Sequence, residues 1–521
     1  MLEGDTLRGS EGEDLQKIVS IMIKAGYQID EEAFQLLREI SENRVIEGLE
    51  DVMREVIKEI DALPERPLFI SRDLIEERLR QRLPELRETG EPLIETGKGH
   101  PKVYAREIET DLEVVEDPTD TITSTGSLRD YIEYFQDRFK RMRRLLRQRM
   151  DVKDSTSLSD ALKAPHGSKV KFVCMITERR ETRRGVFLNV EDLEAEATVY
   201  VPADNGEVIE KARNLLLDQV ICVQAVKGKN SLLIAEDIFL PDIPLRKPNT
   251  APIPVYAALI SDMHVGSKMF MKEEFTRFLA WLDGRLGDRR LTEIAGHIKY
   301  LIIAGDIVDG VGIYPQQFDE LEIKDIYEQY KAAAELIEQI PDHIEIIIVP
   351  GNHDATRRAL PQPTIKAEYT EPLQEIGRVH LLGNPSTILL HGVRILLYHG
   401  RSLDDVISLL PNMSFQEPDK AMRFLLQSRH LAPAYGERTP ISPEKRDFLV
   451  IENVPDIFHA GHVHMFGYSN YRGTLIVNSG AWQWQTEYQR EMGHTPNPGI
   501  VPVVNLQSLE VIPIDFTMHW T

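Results

Sequence analysis

The period of the hydrophobic positions changes along this chain, and each change predicts a different kind of structure. Between residues 11 and 60 apolar residues recur at helical spacing, with Leu15, Ile18, Ile21 and Met22 on one face and Ala33, Phe34, Leu36, Leu37 and Ile40 on the next. Gly26 breaks the first run, Asp30 can cap the second, and a third run from Val45 to Ile60 stops before Pro64. A small helical module over residues 1–62 follows. From Pro64 to Gly126 the chain is charged and interrupted by Pro67, Pro84, Pro92, Pro101 and Pro118, which predicts an extended, partly disordered connector with one short helix after Ser71. Its patch Pro67-Leu68-Phe69-Ile70 is expected to stand unpaired, open to a partner. The linker region, residues 63–150, ends in a basic helix in which Arg138, Lys140, Arg141, Arg143, Arg144, Arg147 and Arg149 interleave with Phe139, Met142, Leu145 and Leu146. Such a helix either packs its apolar stripe and leaves its charges in water, or meets nucleic acid or an acidic partner.

The period then becomes two. VKFVCMITERR, GVFLNVED, EATVYVP, QVICVQAVKG and SLLIAEDIFLP read as strands, and Asn205-Gly206 to Leu217 supplies a helix before the fourth of them. Residues 151–248 are therefore expected to form an OB-fold β-barrel. Barrels of that type bind single strands in a basic, aromatic-lined groove. Here Phe187 and Tyr200 are the main aromatic candidates and Arg179, Arg180, Arg183 and Arg184 crowd the first turn, so a packing or spacer role competes with strand binding.

Over residues 249–521 short, wholly apolar runs take over: VYAALIS, YLIIAG, IEIIIVP, VRILLY and PDIFHA. They read as buried strands, and the roughly forty to sixty residues between them leave room for helical crossovers. Each run ends in a polar motif: Asp262-Met263-His264, Gly305-Asp306, Gly351-Asn352-His353-Asp354, His399-Gly400 and Gly461-His462-Val463-His464. In α/β folds the carboxyl ends of several strands open on one crevice.

Composition narrows the picture. The length of 521 residues calls for more than one core. No apolar stretch approaches the roughly 20 residues of a membrane span, and MLEGDTLRGSEGEDLQ is too acidic and polar for a signal peptide, so a soluble, cytoplasmic protein with no membrane partner is expected. Cys174 and Cys222 lie inside strand-like runs and read as buried thiols. The net charge of −23 argues against a protein that coats nucleic acid non-specifically.

Carboxylates, imidazoles and one carboxamide, without thiolate, form a ligand set for hard-to-borderline divalent ions. Asp262 and His264, two apart at a strand end, are expected to point to the same side. Asp306 can bridge two ions, Asn352 offers a carbonyl oxygen, and His399, His462 and His464 offer imidazole nitrogens. Two ions about 3.5–4 Å apart would activate water and steady phosphoryl oxygens. His353 then remains as general acid or transition-state stabiliser, with Asp354 as its orienting partner. Asp309 and Glu320 read as loop charges, and His297, His343, His391 and His459 as ordinary histidines. Any single motif is more often a turn than a ligand. Their order along one chain is what points to phosphoester hydrolysis.

The series DxH, GDxxD, GNHD, HG, GHxH resembles the calcineurin-like metallophosphoesterases. That resemblance implies a β-sandwich flanked by helices, with Asp262, His264, Asp306 and His464 on one ion and Asp306, Asn352, His399 and His462 on the other. It also implies manganese, with magnesium as the other candidate, and His353 as the catalytic imidazole. A barrel directly before such a domain, together with Asn478 to Thr486 and Pro496-Asn497-Pro498-Gly499, is similar to the small subunits of archaeal family D DNA polymerases and to eukaryotic B-subunits. The resemblance implies a 3′–5′ exonuclease acting on single-stranded or mismatched DNA 3′ ends, partnered by a large polymerase subunit that supplies DNA synthesis. Eukaryotic B-subunits have lost most ligand positions, whereas all are filled here. The competing readings are a non-catalytic scaffold subunit and a stand-alone metallophosphodiesterase. DNA-contacting residues are not legible in the sequence.

Overall fold

Alternation, apolar runs and helical stripes are converted into two units, residues 1–100 and 101–521. The computed structural model describes residues 103–518 and, before them, residues 21, 22, 28, 29, 33, 37, 38, 49–61, 69, 70, 75 and 79. In the first unit, Leu49–Asp61 is a helix that buries Met53, Val56, Ile57 and Ile60, a single stripe at helical spacing. Strand β1 (Gln28–Ile29) pairs in parallel with β2 (Phe69–Ile70). The patch containing Phe69 and Ile70 is therefore not unpaired, because its backbone completes a ladder. The expected breaks and caps at Gly26 and Asp30 lie outside the described residues.

The second unit corrects the connector. Strand β3 (Leu112–Glu116) adds to the edge of a sheet, and Leu112 and Ile108 reach the core between two sheets. Asp117 accepts from the backbone N–H groups of Thr119 and Gly383, which secures the turn that follows. Helix Leu128–Arg147 starts at a capping box in which Ser127 and Asp130 exchange hydrogen bonds. Its stripe of Phe139, Met142, Leu145 and Leu146 is buried, but so are Arg138 and Arg141. Arg138 donates to Asp447 at 2.7 Å and to the Pro433 carbonyl at 2.8 Å, and Arg141 to the Asp447 carbonyl at 2.6 Å. The helix is an internal clamp as well as an amphipathic surface. Lys140, Arg143, Arg144 and Arg147 face an open groove.

Strands β4 (Lys169–Thr182), β5 (Gly185–Glu191), β6 (Glu196–Pro202), β7 (Val220–Lys227) and β8 (Leu232–Phe239) close a barrel in the order β4-β5-β6-β8-β7. Only β6 and β8 run parallel, and helix Gly206–Arg213 sits between β6 and β7. Alternate residues such as Val186, Leu188 and Val190 fill the interior. Cys174 and Cys222 are buried free thiols.

Strands β9 (Tyr256–Ile260), β10 (Ile298–Ala304), β11 (Glu345–Val349) and β12 (Val379–Leu381) are parallel neighbours. They are followed by β13 (Ser386–Leu390), β14 (Val393–Leu397), β15 (Ile457–Ala460), β16 (Gly467–Tyr471) and β17 (Thr474–Asn478), then by β18 (Ile500–Asn505) and β19 (Glu510–Asp515). Two six-stranded sheets result, β12-β11-β10-β9-β18-β19 and β16-β17-β15-β14-β13-β3. Leu259, Ile302 and Ile347 of the first sheet share a core with Ile395, Ile457 and Val477 of the second. Helices Lys272–Leu282 and Ile326–Glu338 pack on the outer face of the first through Phe278, Trp281, Tyr330 and Ile337. Helices Leu403–Leu409 and Pro418–Ser428 cover the second through Val406, Met422 and Leu425. Burial on both faces explains why these strands read as continuous apolar runs. No helix among the described residues is long and apolar enough to cross a membrane.

Candidate metal centre

Each of the polar motifs emerges at the carboxyl end of a parallel strand: β9, β10 and β11 in one sheet, β14 and β15 in the other. The chain then turns sharply. Asp262, His264, Asp306, His462 and His464 all have φ between 52° and 72°, in the left-handed region that non-glycine residues seldom occupy. Asp262 and His264 are thus aimed by loop backbone past the end of β9, and not by the pleat of a strand as expected. The turns also leave no room beside them: a Cβ at Gly351 would sit 2.1 Å from Asp306 Oδ1, and one at Gly461 2.3 Å from Ser261 Oγ. Glycine is required there by close approach of the ligand loops.

All seven expected ligand residues come together. His264 Nε2 lies 3.1 Å from His464 Nε2 and 3.8 Å from Asp262 Oδ1, and His464 Nε2 lies 3.5 Å from Asp262 Oδ1. On the other side, His399 Nε2 is 3.1 Å from Asn352 Oδ1 and 3.3 Å from Asp306 Oδ2. Asp306 Oδ2 is also 3.9 Å from His264 Nε2, so one carboxylate oxygen stands between the two groups. Donor atoms of Asp262, His264 and His464 fall within 4.8 Å of one another, as do those of Asp306, His399 and His462. Asp262 Oδ1 is buried without a hydrogen-bond partner. A buried carboxylate oxygen left in that state is costly unless a cation faces it, and the surrounding oxygen and nitrogen donors suit one. The residues present fit a divalent-metal centre.

One nitrogen of each imidazole is secured from outside, which leaves the other for the site. Nδ1 of His264 meets Asp309 Oδ1 at 2.9 Å, Nδ1 of His399 the Ala304 carbonyl at 2.8 Å, and Nδ1 of His464 the Gln489 amide at 2.9 Å. His462 is held instead through Nε2, 3.1 Å from Asp404, which leaves its Nδ1 available. Residue pattern does not mark Asp309, Asp404 or Gln489 as part of the site. For Asp309 a signal is present, three positions after Asp306. It is no loose charge: it is fully buried, with Gln317 and Gln483 donating to its carboxylate. Asp309→Ala is expected to weaken divalent-metal affinity by about 10- to 100-fold with the fold intact, measured by competition against a chelator. Unchanged affinity would remove Asp309 from the centre.

Asp354 also departs from expectation. Its carboxylate turns inward to accept from the backbone N–H groups of Asp306 and Gly351, both at 2.8 Å, and from the Tyr330 hydroxyl at 3.1 Å. It braces the two ligand loops against each other. His353 is oriented by the Asp309 carbonyl, 2.7 Å from Nδ1, and presents Nε2 4.0 Å from Asp306 Oδ2. His459 is buried in the core; its Nε2 lies 3.0 Å from the Ser479 hydroxyl, which donates to Ser261 at 2.8 Å, and Ser261 donates in turn to Asp262. Glu320 lies on the loop beyond and bonds Tyr314. His297 and His391 pack against Tyr104 and Tyr300 respectively, away from the ligands.

The cluster is electrostatically strained toward cation binding. Burial opposes the charge on Asp262, but His464 and then His399 outweigh it and hold the carboxyl at about 2. Burial likewise opposes a charged His399, yet Asp306 and Asp262 lift it to about 9. Asp306, buried beside His399 and His353, stays well below the usual carboxylate range. A cation entering here must displace the His399 proton.

The fold and this cluster belong with the B-subunits of DNA polymerases alpha and epsilon, the class whose family model matches residues 257–467. More closely, the chain belongs to the family of the archaeal DNA polymerase II small subunits. It is 42% identical to the Archaeoglobus fulgidus DNA polymerase II small subunit over 392 residues, covering 75% of this chain and 78% of that one. The Methanothermobacter thermautotrophicus small subunit is 39% identical over 408 residues, 78% of this chain and 83% of the relative. The Pyrococcus horikoshii small subunit is 40% identical, but the matched region spans only 63% of its length. Among solved structures, a novel archaeal phosphodiesterase is similar over 50% of this chain and 99% of its own, at 13% identity and a TM-score of 0.24.

Proposed function

We propose that this chain is the small, nuclease-bearing subunit of a two-subunit archaeal replicative DNA polymerase, removing nucleotides from single-stranded or mismatched DNA 3′ ends. The observation that carries the reading is the convergence of Asp262, His264, Asp306, Asn352, His399, His462 and His464 on two overlapping donor groups, with no ligand position lost. A pure scaffold has no use for a complete set. On this reading the paired sheets with their outer helices are a metallophosphoesterase sandwich, and the barrel, with its β4-β5-β6-β8-β7 order, is an OB fold positioned ahead of it. DNA synthesis comes from a large subunit, the chain's partner.

Asp262, His264, Asp306 and His464 would hold one cation, and Asp306, Asn352, His399 and His462 the other, manganese or magnesium by donor chemistry. Bound there, the pair would supply an activated water and steady the charge on the phosphoryl oxygens. The chain's own residues do the rest. Buried Asp306 keeps both donor groups in register, and Asp354 keeps the Gly305 and Gly351 turns locked around it. With Nδ1 donating to the Asp309 carbonyl, the proton His353 gives to the departing 3′ oxygen comes from Nε2. The purified chain, supplied with manganese and a 3′-mismatched primer, is expected to shorten the primer, and Asp306→Ala to abolish this together with metal retention. Equal digestion by both proteins would end the nuclease reading.

A further inference from the structure

The rim of the centre carries aromatic surface that the metal chemistry does not use. Tyr314 and Tyr488 lie ring on ring, centroids 4.9 Å apart and planes 25° apart, and the Tyr314 ring is 6.2 Å from the ring of His353. Tyr488 is 42% exposed. On the same C-terminal stretch Trp484 is 44% exposed, and on the other side of the rim Phe318 is 53% exposed. Large rings left in water beside a buried polar site are expensive unless something covers them.

Both halves of the stack are tied to the ligands. The Tyr314 hydroxyl donates to Glu320 at 2.7 Å, and Gln317, between them, donates to the carbonyl of Asp309 at 2.7 Å and to its carboxylate at 3.1 Å. Asp309 in turn orients His264 and His353. Tyr488 lies in helix Glu487–Glu491, anchored at its start by a capping box between Thr486 and Gln489, and it is Gln489 that meets His464. The two rings are thus held at fixed distance from the donor groups by hydrogen bonds on separate segments, 309–320 and 486–489. Neither tyrosine serves the hydrophobic core.

We propose that the Tyr314–Tyr488 stack is a platform for the unstacked terminal nucleobase of a single-stranded end whose phosphate lies at the metal centre. The proposal rests on the phosphodiester reading above and adds the element that recognises the substrate's base. A flat aromatic face accepts any base, because every base has a π-face, so the platform selects for an unpaired end and not for a sequence. A paired terminal base keeps its own stack and does not reach the rings. The stack would therefore convert fraying into recognition.

The test is equilibrium binding of the full chain, with magnesium, to a single strand that carries 2-aminopurine at its 3′ end and a non-hydrolysable terminal linkage. The fluorophore is expected to quench on binding. Tyr488→Ala, and separately Tyr314→Leu, are expected to bind about 5- to 100-fold more weakly and to lose the quench, while Tyr488→Phe binds as the parent does. Metal content, measured by mass spectrometry, should be the same in all of them. Against a strand whose terminal nucleotide is abasic, parent and variants should bind alike. Variants that bind the base-bearing strand as tightly as the parent would overturn the platform, as would a penalty of the same size on the abasic strand. Those results, with primer shortening intact, sink the platform alone; a parent that neither binds nor shortens any strand sinks the phosphodiester reading beneath it.

Discussion

Replacing His353 with alanine is expected to slow DNA-end hydrolysis by about 10²- to 10⁴-fold and to leave the metal content unchanged. The side chain is fixed at Nδ1 by a backbone carbonyl, which Asp309 presents at 2.7 Å, and its Nε2 points toward Asp306 without closing on it. That is the posture of a group that waits for a substrate oxygen. The geometry nevertheless places His353 in a third donor trio with His264 and Asp306, within 4.8 Å of one another. Steady-state kinetics and metal analysis on the same preparation separate the two roles. A variant that loses a cation along with its rate would make His353 a ligand and leave the departing oxygen without a proton source. Retention of the parent rate would remove it from the reaction altogether.

The second large effect concerns stability, and it is centred far along the sequence from the site. Asp447 and Arg138 are both buried, 0% and 1% exposed, and pair at 2.7 Å; His430 Nε2 lies 2.8 Å from the same carboxylate oxygen, and the second oxygen accepts from the Leu449 N–H. Burial opposes the Asp447 charge, and His430 and Arg138 overcome it, holding the carboxyl well below its ordinary range. Removing one partner strands the other charge in the core, so Asp447→Ala is expected to cost about 3–5 kcal/mol in urea unfolding, with the slope unchanged. Asp447→Leu combined with Arg138→Leu should cost less than the sum of the single changes, since no orphan charge remains. Because the folded carboxyl titrates lower than the unfolded one, this stabilisation is complete above an unfolded value of about 3.9. It is lost as pH falls through the lower folded value. Additive single and double variants, or an acid limb unchanged by Asp447→Ala, would show that the cluster does not hold helix Leu128–Arg147 in place.

Strand positions are legible in the sequence because burial imposes a strict pattern on residues. Alternation in GVFLNVED and EATVYVP becomes β5 and β6 of a barrel, and the continuous runs VYAALIS and YLIIAG become β9 and β10, covered on both faces. The ligands are legible because chemistry limits which side chains hold a cation. The supporting shell is not. Asp404 and Gln489 sit on surface-facing helices that carry no motif, and only the packing of β14 against β15 brings Asp404 to His462. Asp354 stands beside a catalytic candidate in sequence, yet the turn at Gly351 points its carboxylate away from His353 and into the backbone. In the same way, residues 103–126 are too polar and proline-interrupted to declare themselves, and they become ordered by borrowing the edge of β13.

Residue pattern thus settles two matters unaided: which segments must be buried, and which donors stand at their ends. Three others come from packing at long range. Asp306 lies between two donor groups, Arg138 and Arg141 turn inward, and Tyr314 and Tyr488 meet across some 170 residues of chain. Local spacing controls the direction of a side chain over a few residues, whereas contacts between loops of different sheets depend on how those sheets pack.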